Sequence, residues 1–217
     1  MIIITRKAKL VAAPEPPFVG TTCVFAPTAE APSAGIFGGT LAWGHEAATI
    51  DWGDGTVERV ASISKLVHAY ANPGLYTARI SDDLAYIQMS MSRSSIDFVK
   101  QCVGQLHSFA CNSSILNGLG SGCFAYCRNL VSLDISKTPV RELPYIMCKG
   151  CESLRGRVDF PNVTDITGQG VGYMPFEGCT SLSEIRFAEA NRAAIEASEA
   201  YRIDPRLGAV NARVTFG

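Results

Sequence analysis

One pattern recurs between residues 106 and 187, and it constrains the chain more than any other feature. Two copies read Phe124-Ala-Tyr-Cys127-Arg-Asn-Leu130-Val-Ser-Leu133-Asp-Ile135 and Phe176-Glu-Gly-Cys179-Thr-Ser-Leu182-Ser-Glu-Ile185-Arg-Phe187. Between them stand Cys148-Lys-Gly-Cys151-Glu-Ser-Leu154 and then Val158-Asp-Phe160. A weaker, earlier copy starts at Ser108-Phe109-Ala-Cys111, which precedes Ser132-Leu133-Asp-Ile135 by 24 residues at every position. Cys127 to Cys151 is again 24, and Cys151 to Cys179 is 28, the surplus falling at Arg155-Gly156 and in the glycine-rich stretch 167–172. In each copy two apolar residues stand two positions apart, which puts both on one face of a strand. Leu133 with Ile135, Val158 with Phe160, and Ile185 with Phe187 are therefore expected to point inward. Asp134, Arg157, Asp159, Glu184 and Arg186 are left as an outward row. No single unit of this kind can bury its apolar face, so neighbouring units are expected to stack.

Aligning the copies also decides how the eight cysteines read. Cys127, Cys151 and Cys179 share one slot, Cys148 stands where Phe124 and Phe176 stand, and Cys111 stands where Ile135 stands. A cysteine that alternates with Phe or Ile is expected to be a reduced, small, buried apolar residue. Cys148-Lys-Gly-Cys151 has metal or redox spacing, but a zinc site needs two more ligands and no second such pair exists.

The segment before the repeat has a different character. Thr22–Ala26 reads as a short strand, as does Ile2–Thr5, with Pro-, Ala- and Gly-rich loops expected over 12–17 and 27–39. In Thr49-Ile-Asp-Trp52-Gly-Asp54-Gly55-Thr-Val-Glu-Arg-Val60, Ile50 and Trp52 alternate with polar neighbours before Asp54-Gly55, and Val57 and Val60 do so less strictly after it. Asp-Gly tolerates the positive φ of a tight turn, so a hairpin is predicted. His68-Ala-Tyr70 then ends a strand, Pro73-Gly74 makes a turn, and Leu75-Tyr-Thr-Ala-Arg-Ile80 is a closing strand.

Trp52-Gly-Asp-Gly-Thr56, His68-Ala-Tyr70 and Pro73-Gly-Leu-Tyr-Thr77 resemble the PKD-type family of immunoglobulin-like β-sandwiches, with the family's Trp-Asp-Phe-Gly-Asp-Gly shortened. Such domains are generally non-catalytic spacers or adhesion modules. The Phe-x-Gly/Tyr-Cys-x-x-Leu pattern resembles the BspA-like leucine-rich repeats of microbial surface proteins, departing at Cys148, where that family favours an aromatic. The two resemblances imply an all-β PKD-like sandwich over residues 1–82. A short leucine-rich-repeat solenoid would follow over 83–217, closed by a C-terminal helix and strand. The alternation over 85–91 and the helical apolar spacing over 95–106 are expected to cap the open end of the array. Asn191 is expected to N-cap a helix that Pro205 stops, and Ala212-Arg-Val-Thr-Phe216 to form a last strand.

Function is bounded mostly by what the sequence lacks. Hydrophobic residues are 47%, charged residues 18% and the net charge -1, a globular composition without a long-range pull toward nucleic acid or an anionic membrane. No apolar run approaches the ~18 residues a membrane span requires. Met1-Ile-Ile-Ile is too short for a signal-peptide core and its basic residues follow rather than precede it, whereas the resemblance implies a cell-surface or extracellular setting. His45, His68 and His107 form no motif with a cysteine nucleophile. Asp51 and Asp54 lack the register of a calcium loop and read as turn residues. Gly168-Gln-Gly170-Val-Gly172 lacks the Lys-Ser/Thr of a phosphate loop. Asn112-Ser-Ser114 and Asn162-Val-Thr164 match the glycosylation pattern.

The expectation is thus a non-enzymatic binding or adhesion protein without cofactor or metal. It would recognise a protein or glycan through Asp134, Arg157, Asp159, Glu184 and Arg186, without nucleic acid and without membrane insertion. The alternative is a structural or spacer component of a surface or phage-like assembly.

Overall fold

The computed structural model describes residues 18–89, 105–167, 170 and 172–217. The strand expected at 2–5, the loop at 12–17, the helical spacing at 95–104, the end of the alternation at 90–91, Cys102, and residues 168, 169 and 171 of the glycine-rich stretch lie outside the described residues.

The fold is built from strands: β1 (Gly20–Phe25), β2 (Ser33–Leu41), β3 (Ala48–Asp51), β4 (Val57–Val60), β5 (Ser64–Ala69), β6 (Tyr76–Ser81), β7 (Leu84–Gln88), β8 (Leu106–Asn112), β9 (Gly118–Leu119), β10 (Ser132–Asp134), β11 (Glu142–Leu143), β12 (Gly156–Phe160), β13 (Asp165–Ile166), β14 (Leu182–Phe187) and β15 (Arg213–Phe216). Two short helices, α1 (Arg192–Ala197) and α2 (Glu199–Ile203), follow a 3-10 turn at Glu189–Asn191. The strands form a six-stranded sheet in the order β10-β8-β1-β6-β3-β4 and a four-stranded sheet in the order β5-β2-β7-β9. A three-stranded sheet β12-β14-β15 and the pair β11-β13 complete the set.

The predicted hairpin forms, with β3 antiparallel to β4 and Asp54-Gly55 at the turn, Gly55 adopting φ 95°. Alternation explains the burial of its neighbours, since Cys23 and Phe25 on β1, Ala78 and Ile80 on β6, and Ile50 on β3 all point into the core. One strand was not legible. Residues 33–39, part of the stretch 27–39 read as loop from its Pro, Ala and Gly content, belong to β2, which pairs antiparallel with β5 and β7. The glycine has a packing reason, because a Cβ at Gly39 would stand 2.9 Å from the Tyr86 carbonyl oxygen.

The expected solenoid is overturned. Its strands do not align as one continuous parallel sheet. The first repeat strands, β8 and β10, pair in parallel at the 24-residue register (Ser132 with Ser108, Leu133 with Phe109), but β8 also pairs antiparallel with β1, so both extend the six-stranded sheet of the N-terminal segment. β9 joins β7 in the four-stranded sheet. The ladder then breaks before β12. There Arg155-Gly156 shifts the apolar pair by one position relative to Leu133 and Ile135, Gly156 turns left-handed (φ 76°), and the pairing with β14 slips between Gly156 and Arg157. β12, β14 and β15 continue as a separate parallel sheet.

The expected cap differs as well. β7 belongs to the four-stranded sheet instead of sealing an array, and the C-terminal helix is broken at Ser198. Asn191 does not cap α1. Its amide donates to the Pro161 carbonyl at 3.0 Å, and Ser198 caps α2 instead. Strands on the two sides of residue 82 thus share two sheets, and the buried side chains form one cluster running from Cys23 to Ala212.

Candidate functional site

Stacking between repeat units persists outside the strands, in the turns that precede each shared cysteine slot. Gly122, Phe124 and Tyr126 donate their backbone N–H groups to the carbonyls of Tyr145, Met147 and Lys149, and Ile146, Cys148 and Gly150 donate to those of Tyr173, Pro175 and Glu177. The residue before each slot is left-handed: Tyr126 (φ 61°), Gly150 (φ 72°) and Gly178 (φ 77°). The cysteines then link one unit to the next. The Cys151 thiol donates to the Phe124 carbonyl at 3.0 Å and the Cys179 thiol to the Cys148 carbonyl at 3.1 Å. All seven described cysteines are buried and unpaired. Burial pushes the thiols of Cys111 and Cys148 up to about 11 and that of Cys123 to about 12, which leaves them protonated and poorly nucleophilic at neutral pH.

The outward row gathers in part. Arg157 and Asp159 lie on β12, and Glu184 and Arg186 on β14. The parallel register sets Arg157 beside Glu184 beside Arg213, and Asp159 beside Arg186 beside Thr215. Opposite charges therefore alternate across the strands. Arg157 meets Asp159 at 3.0 Å, Arg186 meets Asp159 at 3.9 Å, and Arg213 meets Glu184 at 3.4 Å. Hydrogen bonds from the Thr215 hydroxyl (2.7 Å) and then the Arg213 guanidinium hold the Glu184 carboxyl below its ordinary range. The opposite face carries Phe160, Phe187 and Phe216, with successive ring centroids 5.8 Å and 6.1 Å apart. Arg192 lies over the Phe216 ring at 4.2 Å. Asp134 stands apart on β10, in another sheet, where it accepts from the Ser136 N–H (2.9 Å) and hydroxyl (2.7 Å).

The Trp-Gly-Asp-Gly and His-x-Tyr residues converge around one turn. His68 stacks on Trp52 with ring centroids 4.8 Å apart, sits edge-on to Tyr70 at 4.6 Å, and places Nε2 2.8 Å from Asp54 Oδ2. The Tyr70 hydroxyl donates to the Trp52 carbonyl at 3.0 Å. Asp51 and Asp54 accept from the backbone N–H groups of Gly53 and Thr56, each at 2.9 Å. These carboxylates are engaged as turn residues. At another edge, His45 Nδ1 lies 2.6 Å from Asp83 Oδ1, and the Ser81 hydroxyl donates to the same carboxylate instead of to the histidine. This is not the order in which a base activates a serine nucleophile. Among the described residues, no three His, Cys, Asp or Glu side chains gather as a metal site, and no helix is long and apolar enough to cross a membrane.

A feature without a sequence motif is a cleft lined by Ser113, Ser114, Lys137, Thr138, Pro139, Arg141 and Asn162. The signal for it was the spacing itself, since Ser114, Thr138 and Asn162 stand 24 residues apart and so occupy one slot of successive units. Compared with known proteins, the chain matches no family model, no curated protein and no solved structure.

Proposed function

We propose that the chain is a non-enzymatic binding protein that engages a protein or glycan partner across the charged face of β12, β14 and β15. The observation that carries the reading is the alternation of Arg157, Glu184, Arg213 and Asp159, Arg186 across three strands, each side chain steadied by a neighbour of opposite sign. A face whose charges are already oriented loses little side-chain entropy on binding, and a mixed-sign pattern selects a partner of complementary pattern over one that is merely charged. The buried thiols and the carboxylates engaged in turns support the non-enzymatic part. The cluster of Trp52, Asp54, His68 and Tyr70 supports grouping the first segment with PKD-type modules, whose general role is as a spacer or in adhesion.

The test is a glycan and protein array probed with the native chain and with a variant carrying Arg157→Ala, Asp159→Ala, Glu184→Ala and Arg186→Ala. The face is the binding surface if the partners found with the native chain are lost with the variant, and the reading fails if every one is retained. A structural or spacer role is the second reading, favoured by the fact that the same charges satisfy one another. Concentration-dependent assembly in light scattering, unaccompanied by array binding, would select it.

A further inference from the structure

We propose that the cleft between the turns following β8, β10 and β12 is a separate binding site for the carboxylate or sulfate of an acidic saccharide. Its two cations distinguish it from the charged face. Arg157, Arg186 and Arg213 are each met by a carboxylate, whereas Lys137 and Arg141 are exposed and have no ion-pair partner among the described residues. Their backbones are held. The Arg141 carbonyl accepts from the N–H groups of Thr164 (2.8 Å) and Asp165 (3.1 Å). Thr138, next to Lys137, donates its N–H (3.1 Å) and its hydroxyl (2.7 Å) to the Ile135 carbonyl. Asn162 closes the wall by donating from its amide to the Thr138 carbonyl at 2.8 Å. At the back, the buried Ser113 hydroxyl donates to Asp82, and the Ser113 oxygen accepts from the Leu116 N–H at 2.8 Å. Asp82 is thereby engaged behind the lining, and no carboxylate lines the cleft itself. Asp134, the last residue of β10, is engaged by Ser136.

What remains for a ligand is two cationic heads, the Ser114 hydroxyl, the Asn162 amide oxygen and the small apolar face of Pro139. The cations select an anion and would form charge-assisted hydrogen bonds to it. The hydroxyl and the amide oxygen match groups that both donate and accept, as sugar hydroxyls do. A peptide would need apolar pockets for its side chains, and Pro139 is the sole apolar residue of the lining. The site lies on elements other than β12, β14 and β15, so it stands or fails apart from the proposed charged face.

The experiment is calorimetric titration of the full chain at low salt with trigalacturonate, a heparin-derived tetrasaccharide, maltotetraose, sodium sulfate and a hexaglutamate peptide. Binding of either acidic saccharide, with none for maltotetraose, is expected. A response to trigalacturonate alone makes the group a carboxylate, and to the heparin fragment alone a sulfate. The double variant Lys137→Ala/Arg141→Ala should weaken the interaction by about tenfold or more, while Arg59→Ala/Arg202→Ala, which removes two exposed cations outside both surfaces, leaves it unchanged. Ser114→Asp, which puts a carboxylate at an exposed position of the cleft, should abolish it and provides a second variant should the double variant melt early. The inference is overturned if neither acidic saccharide binds, if these variants bind as the native chain does, or if sulfate ion or hexaglutamate binds as tightly as the saccharides.

Discussion

Gly150 offers the sharpest test of how the turns stack. Its φ is +72°, and a Cβ built on it would stand 2.9 Å from Cδ1 and 3.3 Å from Cε1 of Tyr126, the residue in the same slot one unit earlier. The backbone cannot move away freely, because the Gly150 N–H donates to Glu177 at 2.7 Å and the Tyr126 N–H donates to Lys149 at 2.7 Å. Gly150→Ala therefore incurs two separate costs. A left-handed conformation disfavours an L-residue by about 1–2 kcal/mol, and forcing a methyl against a packed ring costs about 1–3 kcal/mol. A loss of about 2–5 kcal/mol is expected, which for a chain of this size lowers the melting temperature by roughly 4–20 °C. Urea and thermal melts of Gly150→Ala measure the sum, and repeating the substitution in a Tyr126→Gly background separates the parts. There the ring is gone, and only about 1–2 kcal/mol of backbone cost should remain. The reasoning is wrong if Gly150→Ala melts within ~2 °C of the native chain, or if the cost is the same in both backgrounds.

Three further outcomes follow from the packing and the charges. Phe187→Ala, which removes the middle ring between Phe160 and Phe216, should cost about 3–5 kcal/mol in a denaturant melt. A thiol reagent at pH 8 should label at most one of the eight cysteines in the native chain and all eight in denaturant, and fast native labelling of two or more would contradict the burial. Burial works to raise the Asp54 carboxyl, but hydrogen bonds from His68 and Thr56 outweigh it and leave it below its ordinary range. A carboxyl depressed on folding adds stability that is fully present above its unfolded pKa of about 3.9 and is lost as pH falls through the lower, folded value. Asp54→Asn should thus be less stable than the native chain at neutral pH and converge with it in acid, as pH-dependent melts would show.

The parts of the fold that were legible are those that local chemistry fixes. Asp54-Gly55 sets a turn by φ alone, and alternation around Trp52 sets the faces of β3, whereas on β4 Val57 is exposed and Val60 half-buried. The register of β8 against β10 was legible because both strands carry the same spacing without an insertion. The larger arrangement was not. Nothing in Ser108-Phe109-Ala-Cys111 says that its strand has a second edge, and that edge is taken by β1. Gly156 looked like a small insertion, yet one residue moves every side chain of a strand to the other face unless a bulge absorbs it, and the ladder breaks there. The glycines of β2 read as loop because their packing reason, the close approach of Tyr86, lies far away in sequence. Of the outward row, register brought four members together and left Asp134 on another sheet. The cleft had no motif at all, since turn residues such as Ser114 and Lys137 are ordinary until three turns are stacked.

The cysteine slot shows how far a substitution pattern can carry. In the repeat, cysteine interchanges with Phe at Cys148 and with Ile at Cys111, and this marks as buried the small slot that Cys127, Cys151 and Cys179 share. It does not explain why the slot is cysteine instead of alanine. The carbonyls of Phe124 and Cys148 each accept an N–H within their own turn, from Cys127 and Cys151, both at 3.0 Å. A carbonyl oxygen has a second lone pair, and in the core no water reaches it. The thiols of Cys151 and Cys179, one unit later, supply that second donor. A thiol is a weak donor on an apolar atom that is cheap to bury, whereas a serine hydroxyl in the same place would carry a larger desolvation cost. Alanine would bury as easily but leave each carbonyl with one partner. Cysteine is the residue that fills the slot and also ties it to the unit before.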